Sequence, residues 1–232
     1  MPAETITIPS PDGDFSAYRA TPESGQGAVI VVLQEIFGVN QVMRDICDDL
    51  AGQGFVAICP DLFWRIEPNI DITDQSEEEW KKAFDLFAKF DVELGLKDIA
   101  LVVDHARRDN AGNGKVGAIG YCLGGLLAYL TACRTDADAS VGYYGVNIPN
   151  FMNENNNITG QLMLHVAGKD QFVDSEAQKA MHDGLDGNSH VVLHDYPGQD
   201  HAFARQGGAH FDAEAADLAN TRTRAFLQTH LG

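Results

Sequence analysis

Residues 28–33 read AVIVVL, an unbroken apolar run in which four residues are β-branched. A strand with one wet face alternates polar and apolar side chains. An uninterrupted run therefore predicts a strand covered on both faces, as in a parallel sheet flanked by helices. Comparable segments follow at 55–59 (FVAIC), 115–119 (KVGAI), 140–144, 162–166 and 190–194. Helical patterns lie between them. Asn40 is a candidate N-cap ahead of Val42, Met43, Ile46 and Leu50. Ser76 with Glu79 gives a capping-box signal, and Trp80, Phe84 and Phe87 then mark one helical face. Further helices are predicted over about 91–107, 123–133, 175–184 and 211–230. Residues 5–8 and 15–19 flank the turn Pro11-Asp12-Gly13 and predict a hairpin, while 60–73 has no clear period and predicts a loop. The alternation of strand and helix predicts an α/β fold with a mainly parallel central sheet and helices on both faces. It contains no repeat or linker, so a single domain over residues 1–232 is expected.

Charge and cysteine usage narrow the function classes. The chain carries 34 acidic and 16 basic side chains, a formal net charge of −18. A field of that sign repels nucleic acid and anionic membranes, so neither is an expected partner. No apolar run approaches the ~18 residues needed to span a bilayer. The opening MPAETITIPSPDGDF lacks the basic start and apolar core of a signal peptide, and a cytoplasmic protein is expected. The spacings of Cys47, Cys59, Cys122 and Cys133 match no paired zinc or redox motif. Cys47, Cys59 and Cys133 sit in apolar helical or strand patterns and read as small buried hydrophobes.

Cys122 reads differently. Gly120-Tyr121-Cys122-Leu123-Gly124-Gly125 lies between the strand KVGAI and a helix opening LLAYL. This is the G-x-S-x-G nucleophile elbow with cysteine in the serine position: glycines permit a strained strand-to-helix turn, which lifts the nucleophile above the sheet at a helix N-terminus. The amide of Leu123, the next residue, then points toward a developing oxyanion. In this fold the acid and the base follow the nucleophile in that order. Asp170 follows the strand QLMLHV in Gly168-Lys169-Asp170, and His201 follows HVVLHDY in GQDHAF. All three candidates fall at the carboxyl ends of strands, where open α/β sheets build their sites. His165 and His194 lie within predicted strands and read as structural histidines. Asp200 adjoins His201, and neighbouring loop residues commonly point apart. Asp174 reads as the cap of the following helix, which leaves Asp170 as the orienting acid. After the first buried strand, the backbone N–H of Ile36 is the candidate second oxyanion donor, and Glu35 closes that strand at the rim.

The segments QEIFG (34–38), CPDLF (59–63), GYCLGG (120–125), YYG (143–145), GKDQFV (168–173) and DHAFAR (200–205) keep their order and spacing over nearly the whole chain. In them the sequence resembles the dienelactone hydrolase (carboxymethylenebutenolidase) family. The resemblance implies an α/β-hydrolase fold without a large lid domain, no cofactor, no metal, and a Cys–His–Asp triad at Cys122, His201 and Asp170. It gives Glu35 a part in ionising the Cys122 thiol once substrate displaces it from a resting pairing with an arginine, matched here by Arg205. Arg205 would also bind a substrate carboxylate, to which its fork of donors is suited. Phe37 and Tyr144, within the shared motifs, are further substrate-binding candidates. The family's second carboxylate-binding arginine falls at Trp80 here, with Lys81 and Lys82 adjacent, and the small residue after the histidine is Ala202 where a serine is familiar.

The expected activity is hydrolysis of a small ester or lactone of the dienelactone type through an acyl-enzyme on Cys122. A related cysteine carboxylesterase or thioesterase acting on another small substrate is the alternative. A non-catalytic small-molecule binding protein is the third reading. A monomer or weak homo-oligomer is expected.

Overall fold

The computed structural model describes residues 2–232, which fall into two compact units, one ending at Gly117 and the other running Ala118–Gly232. In the first, β1 (Ala3–Ile8) and β2 (Phe15–Ala20) form the expected antiparallel hairpin, with Ala3 opposite Ala20 and Ile8 opposite Phe15. Strand β2 continues antiparallel to β4 (Val56–Pro60), which runs parallel to β3 (Gly27–Leu33). From Ala28 to Leu33 every residue of β3 is buried, as its unbroken apolar run requires.

Helix α1 (Gln41–Gly52) starts at Asn40, whose side chain accepts from the amide of Met43 at 3.2 Å. Its buried stripe is Met43, Cys47, Leu50 and Ala51; Val42 and Ile46 flank it half-buried, so Cys47 occupies the central position on that face. Helix α2 (Glu77–Lys89) is capped by Ser76, which accepts from the amide of Glu79 at 3.2 Å. The Glu79 carboxylate accepts from the amide and hydroxyl of Thr73 and from the Ser76 hydroxyl, so it ties the preceding loop to the cap. The apolar face differs from the expected one: Ala83 and Leu86 are buried, whereas Phe84 is 46% exposed. A 3.6-residue period places position 84 one helical step off that stripe.

Helix α3 (Val92–Arg107) begins at Asp91, which caps the amide of Leu94, and carries Asp98 on its buried face. The Asp98 carboxylate accepts from Trp64 Nε1 at 2.9 Å and from Arg65 Nε and Nη2 at 2.9 and 2.7 Å. Trp64 stacks on Phe15, and the Arg65 guanidinium lies over the Trp64 ring. One carboxylate thus ties the 60–73 loop to α3.

Strand β5 (Gly112–Tyr121) runs three residues longer at its start and two longer at its end than the apolar run KVGAI, and is buried from Val116 onward. In the second unit β6 (Ala139–Tyr143), β7 (Gln161–Ala167) and β8 (Val191–Tyr196) run parallel, in the order β5-β6-β7-β8. Helix α4 (Leu123–Arg134) is buried at every position from Leu123 to Cys133, consistent with an apolar sequence on all sides. Helices α5 (Ser175–Leu185) and α6 (Ala213–Leu231) are capped by Asp174 and Asp212. A 3-10 segment over Ile148–Asn157 was not expected, because its asparagine-rich sequence carries no helical period.

Replacing Asp98 with alanine leaves the Arg65 charge and the Trp64 N–H without their shared acceptor. Asp98→Ala is expected to cost about 2–4 kcal/mol. The urea midpoint should fall without a change in the slope of the transition.

Candidate active site

The chain enters the site through a backbone that only close packing can hold. Cys122 adopts φ 55° and ψ −113°, in the left-handed half of the map that non-glycine residues avoid. A Cβ on Gly120 would run into the carbonyl oxygen of Gly124, so position 120 must be glycine. Gly125 is equally constrained: a Cβ there would meet the Tyr143 carbonyl oxygen at 2.6 Å. That same carbonyl accepts from the Cys122 amide at 3.1 Å, while the Cys122 carbonyl accepts from Gly125 and Leu126 at 3.0 and 3.3 Å. Leu123 is the first residue of α4, and its amide belongs to the helix's first turn, where N–H groups have no intrahelical acceptor.

The expected acid and base meet. Asp170, in the loop after β7, places Oδ2 2.7 Å from His201 Nδ1, and its Oδ1 accepts from the Phe172 amide at 2.8 Å. The Asp170 carboxylate is 1% exposed, so this hydrogen bond is formed away from water. The His201 side chain also hydrogen-bonds Cys122, completing a line Cys122–His201–Asp170. Burial alone would lower the pKa of His201. The hydrogen bonds to Asp170 and Cys122 outweigh it, together with charge interactions with the same two groups, and push the imidazole up to about 10.

Aromatic rings pack against the His201 imidazole. Tyr144 meets the His201 ring edge-on at 5.1 Å between centroids, and Phe172 does so at 4.9 Å. Tyr144 is buried; Phe172 is 46% exposed. Phe172 was absent from the sequence-level candidates, although its place two residues after Asp170 in GKDQFV was a usable signal. Tyr144, at φ 39°, and Ala202, directly after His201 at φ 63°, are two further positive-φ residues at the site.

The rival residues are accounted for. Asp200 accepts from the backbone amide of His201 at 2.7 Å and faces His210 at 3.6 Å, so it does not orient the imidazole. Asp174 caps α5. His165 is buried and hydrogen-bonded on both ring nitrogens. Arg205 lies half-buried in the loop after His201, its amide donating to the Ala202 carbonyl at 2.9 Å. In the first unit, Glu35, Ile36 and Phe37 are buried after β3. Phe37 meets Trp80 edge-on at 5.1 Å, Trp80 stacks on Phe84 at 5.4 Å, and Trp80 Nε1 donates to the Asp74 carbonyl at 2.9 Å. Lys82 pairs with Glu67 at 2.7 Å, and Lys81 is exposed.

A strand, a left-handed turn and a buried helix, followed by an acid and a base in later post-strand loops, define an α/β-hydrolase. The chain belongs to the dienelactone hydrolase family, whose profile matches residues 15–231. A protein of Azospirillum brasilense is 50% identical over 230 residues, covering 98% of this chain and 99% of that one. Carboxymethylenebutenolidase 1 of Cupriavidus pinatubonensis is 39% identical over 215 residues, 93% of this chain and 92% of its own. The carboxymethylenebutenolidase of Pseudomonas putida is 38% identical over 228 residues, 98% of this chain and 97% of its own. A crystal structure from Klebsiella pneumoniae matches with a TM-score of 0.85 at 28% identity, covering 97% of this chain and 98% of that one.

The raised pKa of His201 has a signed consequence for stability. A folded-state value of about 10 against 6.5 favours the folded protein while the imidazolium persists. That contribution is complete below pH 6.5 and is lost as pH rises through about 10. The stability advantage of wild type over His201→Gln is therefore expected to shrink across this interval, as read by urea unfolding at successive pH values.

Proposed function

We propose that this hydrolase opens an anionic enol-lactone through an acyl-enzyme on Cys122. The observation that carries the reading is the hydrogen-bonded line Cys122–His201–Asp170, with Cys122 in a left-handed elbow at the start of α4. The relatives named carboxymethylenebutenolidase support the substrate class. An imidazolium beside the sulfur is a charge partner for a thiolate, and the N-terminus of α4 adds favourable potential. The thiolate attacks the lactone carbonyl, and the ring oxygen leaves as an enolate that takes a proton from His201. The Leu123 amide donates to the oxyanion; such a donor is worth about 3–4 kcal/mol in the transition state. Water deprotonated by His201 then attacks the thioester, releasing the ring-opened acid and returning the sulfur. Asp170 holds the imidazole in the tautomer and orientation that both steps need.

Four further assignments rest on the motifs and on family membership. Glu35 assists ionisation of the thiol, Ile36 supplies a second oxyanion amide, Arg205 binds the substrate carboxylate, and Phe37, Trp80 and Tyr144 contact the remainder of the substrate. A second reading, a cysteine carboxylesterase for neutral aryl esters, is favoured by one observation: the position of the family's second arginine is an indole packed on Phe37. The family match over residues 15–231 supports one domain over residues 1–232. Among the described residues no helix is long and apolar enough to cross a membrane. The reading takes the protein as a cytoplasmic monomer or weak homo-oligomer, and its net charge of −18 opposes binding to nucleic acid or an anionic membrane.

Cys122→Ala is expected to lower lactone hydrolysis by at least about 10³-fold, and Asp170→Asn by about 10³–10⁴-fold in kcat. Iodoacetamide should modify Cys122 ahead of the other three cysteines, as read by peptide mapping. Undiminished turnover in Cys122→Ala would exclude the covalent mechanism. Arg205→Ala should raise KM for an anionic dienelactone selectively and leave a neutral aryl ester little changed. Equal effects on both would favour the esterase reading.

A further inference from the structure

A chain of polar groups, buried at its centre and ending on the half-buried Arg222 and the exposed Asn220, reaches the backbone of the elbow, and none of them belongs to the triad. It begins and ends on α6. Arg222 Nη1 donates to Tyr196 Oη at 3.2 Å, and Tyr196 Oη is 2.8 Å from His165 Nδ1. His165 Nε2 is 2.9 Å from Thr223 Oγ1, which is 2.6 Å from Tyr143 Oη. Tyr143 Oη then donates to Asn220 Oδ1 at 3.0 Å. The hydroxyls involved have one proton each, so the directions can be solved. Tyr143 gives its proton to Asn220 and must accept from Thr223. Thr223, having given its proton, must accept from His165 Nε2. A neutral imidazole that donates through Nε2 accepts at Nδ1, which matches a Tyr196 hydroxyl already receiving from Arg222.

The same residues carry the backbone of the site. The Tyr143 carbonyl receives the Cys122 amide at 3.1 Å, and the His165 carbonyl receives the Tyr144 amide at 2.8 Å. Tyr143 and His165 are paired across β6 and β7. Their side chains hang from one hydroxyl on α6, while their carbonyls hold the nucleophile and the ring beside His201.

We propose that His165 is a positioning residue for this hydrolase, held as the neutral Nε2–H tautomer at the centre of a one-way hydrogen-bond chain from Arg222 to Asn220. It acts by fixing the Tyr143 carbonyl on which the strained Cys122 backbone hangs. The groups facing it are Tyr143 from β6, His194 and Tyr196 from β8, and Arg222 and Thr223 from α6. Burial, and then the charges of His194 and Arg222, oppose its protonation. Protonation would also turn Nδ1 into a donor aimed at a hydroxyl whose own proton already points to it.

The proposal rests on Cys122 being the nucleophile, and the test separates the two. Long-range ¹H–¹⁵N spectra of labelled wild-type protein should show His165 as the neutral Nε2–H form throughout roughly pH 5 to 8, where free imidazoles titrate. An Nδ1–H form, or titration in that range, overturns the assignment. Gln can accept from Tyr196 and donate to Thr223, whereas Phe can do neither. His165→Phe is therefore expected to lose about tenfold or more in kcat, as small misplacements at a reacting centre do, with KM little changed. His165→Gln should recover most of that loss. Should the phenylalanine variant fail to fold, Thr223→Val removes the central hydroxyl at nearly constant volume and should give the same split. Unchanged kcat in the substituted protein, or no rescue by glutamine, overturns the positioning role. A wild type with no hydrolase activity would instead defeat the proposed function and with it the positioning role, leaving the tautomer to the spectra.

Discussion

The hydrogen bond from the Cys122 amide to the Tyr143 carbonyl fastens a backbone that would otherwise relax. A left-handed, non-glycine residue costs on the order of 1–3 kcal/mol, and that cost is offset here by contacts on every side. Gly120 presses on Gly124, Gly125 on the end of β6, and the Cys122 carbonyl closes the first turn of α4. The direction of the sulfur follows from this packing. His201 then adds a hydrogen bond to a sulfur already aimed, and Asp170 adds one to an imidazole already wedged between Tyr144 and Phe172.

Electrostatics and packing share one origin in this arrangement. The loop that brings Asp170 to His201 also buries the carboxylate and spends its second oxygen on the Phe172 amide. Little solvent remains to screen the pair, and the imidazolium's interactions with Asp170 and Cys122 together outweigh what burial costs it. The exposed ring of Phe172 and the half-buried Arg205 stand where this interior meets water.

Much of this was legible in the sequence because the signals were local. AVIVVL could hardly be anything other than a doubly covered strand, and Asn40, Ser76 and Asp174 announced helix starts by side-chain chemistry alone. The glycine spacing around Cys122 and the post-strand positions of Asp170 and His201 pointed to three side chains that lie in one hydrogen-bonded line. Contacts between distant elements were less legible. The Phe84 ring fits a helical pattern on paper, but only packing decides which stripe is buried. Ile148–Asn157 has no period to read. The Tyr143–Thr223–His165 chain joins residues up to 80 positions apart, and His165 looked like any strand histidine.

Helix α4 is buried from Leu123 to Cys133, and this bears on how such a protein can change over generations. Nearly any substitution along that helix opens a cavity or forces a clash, so inherited variation there should be filtered severely. The side chains of Phe172 and Arg205 are less enclosed, although their loops are anchored by the buried Asp170, Val173, His201 and Phe203. Lineages descended from such an ancestor should keep the thiol-bearing helix nearly letter for letter while diversifying in what they accept. Family members with different substrates should therefore differ first at those rim positions and last behind the sulfur.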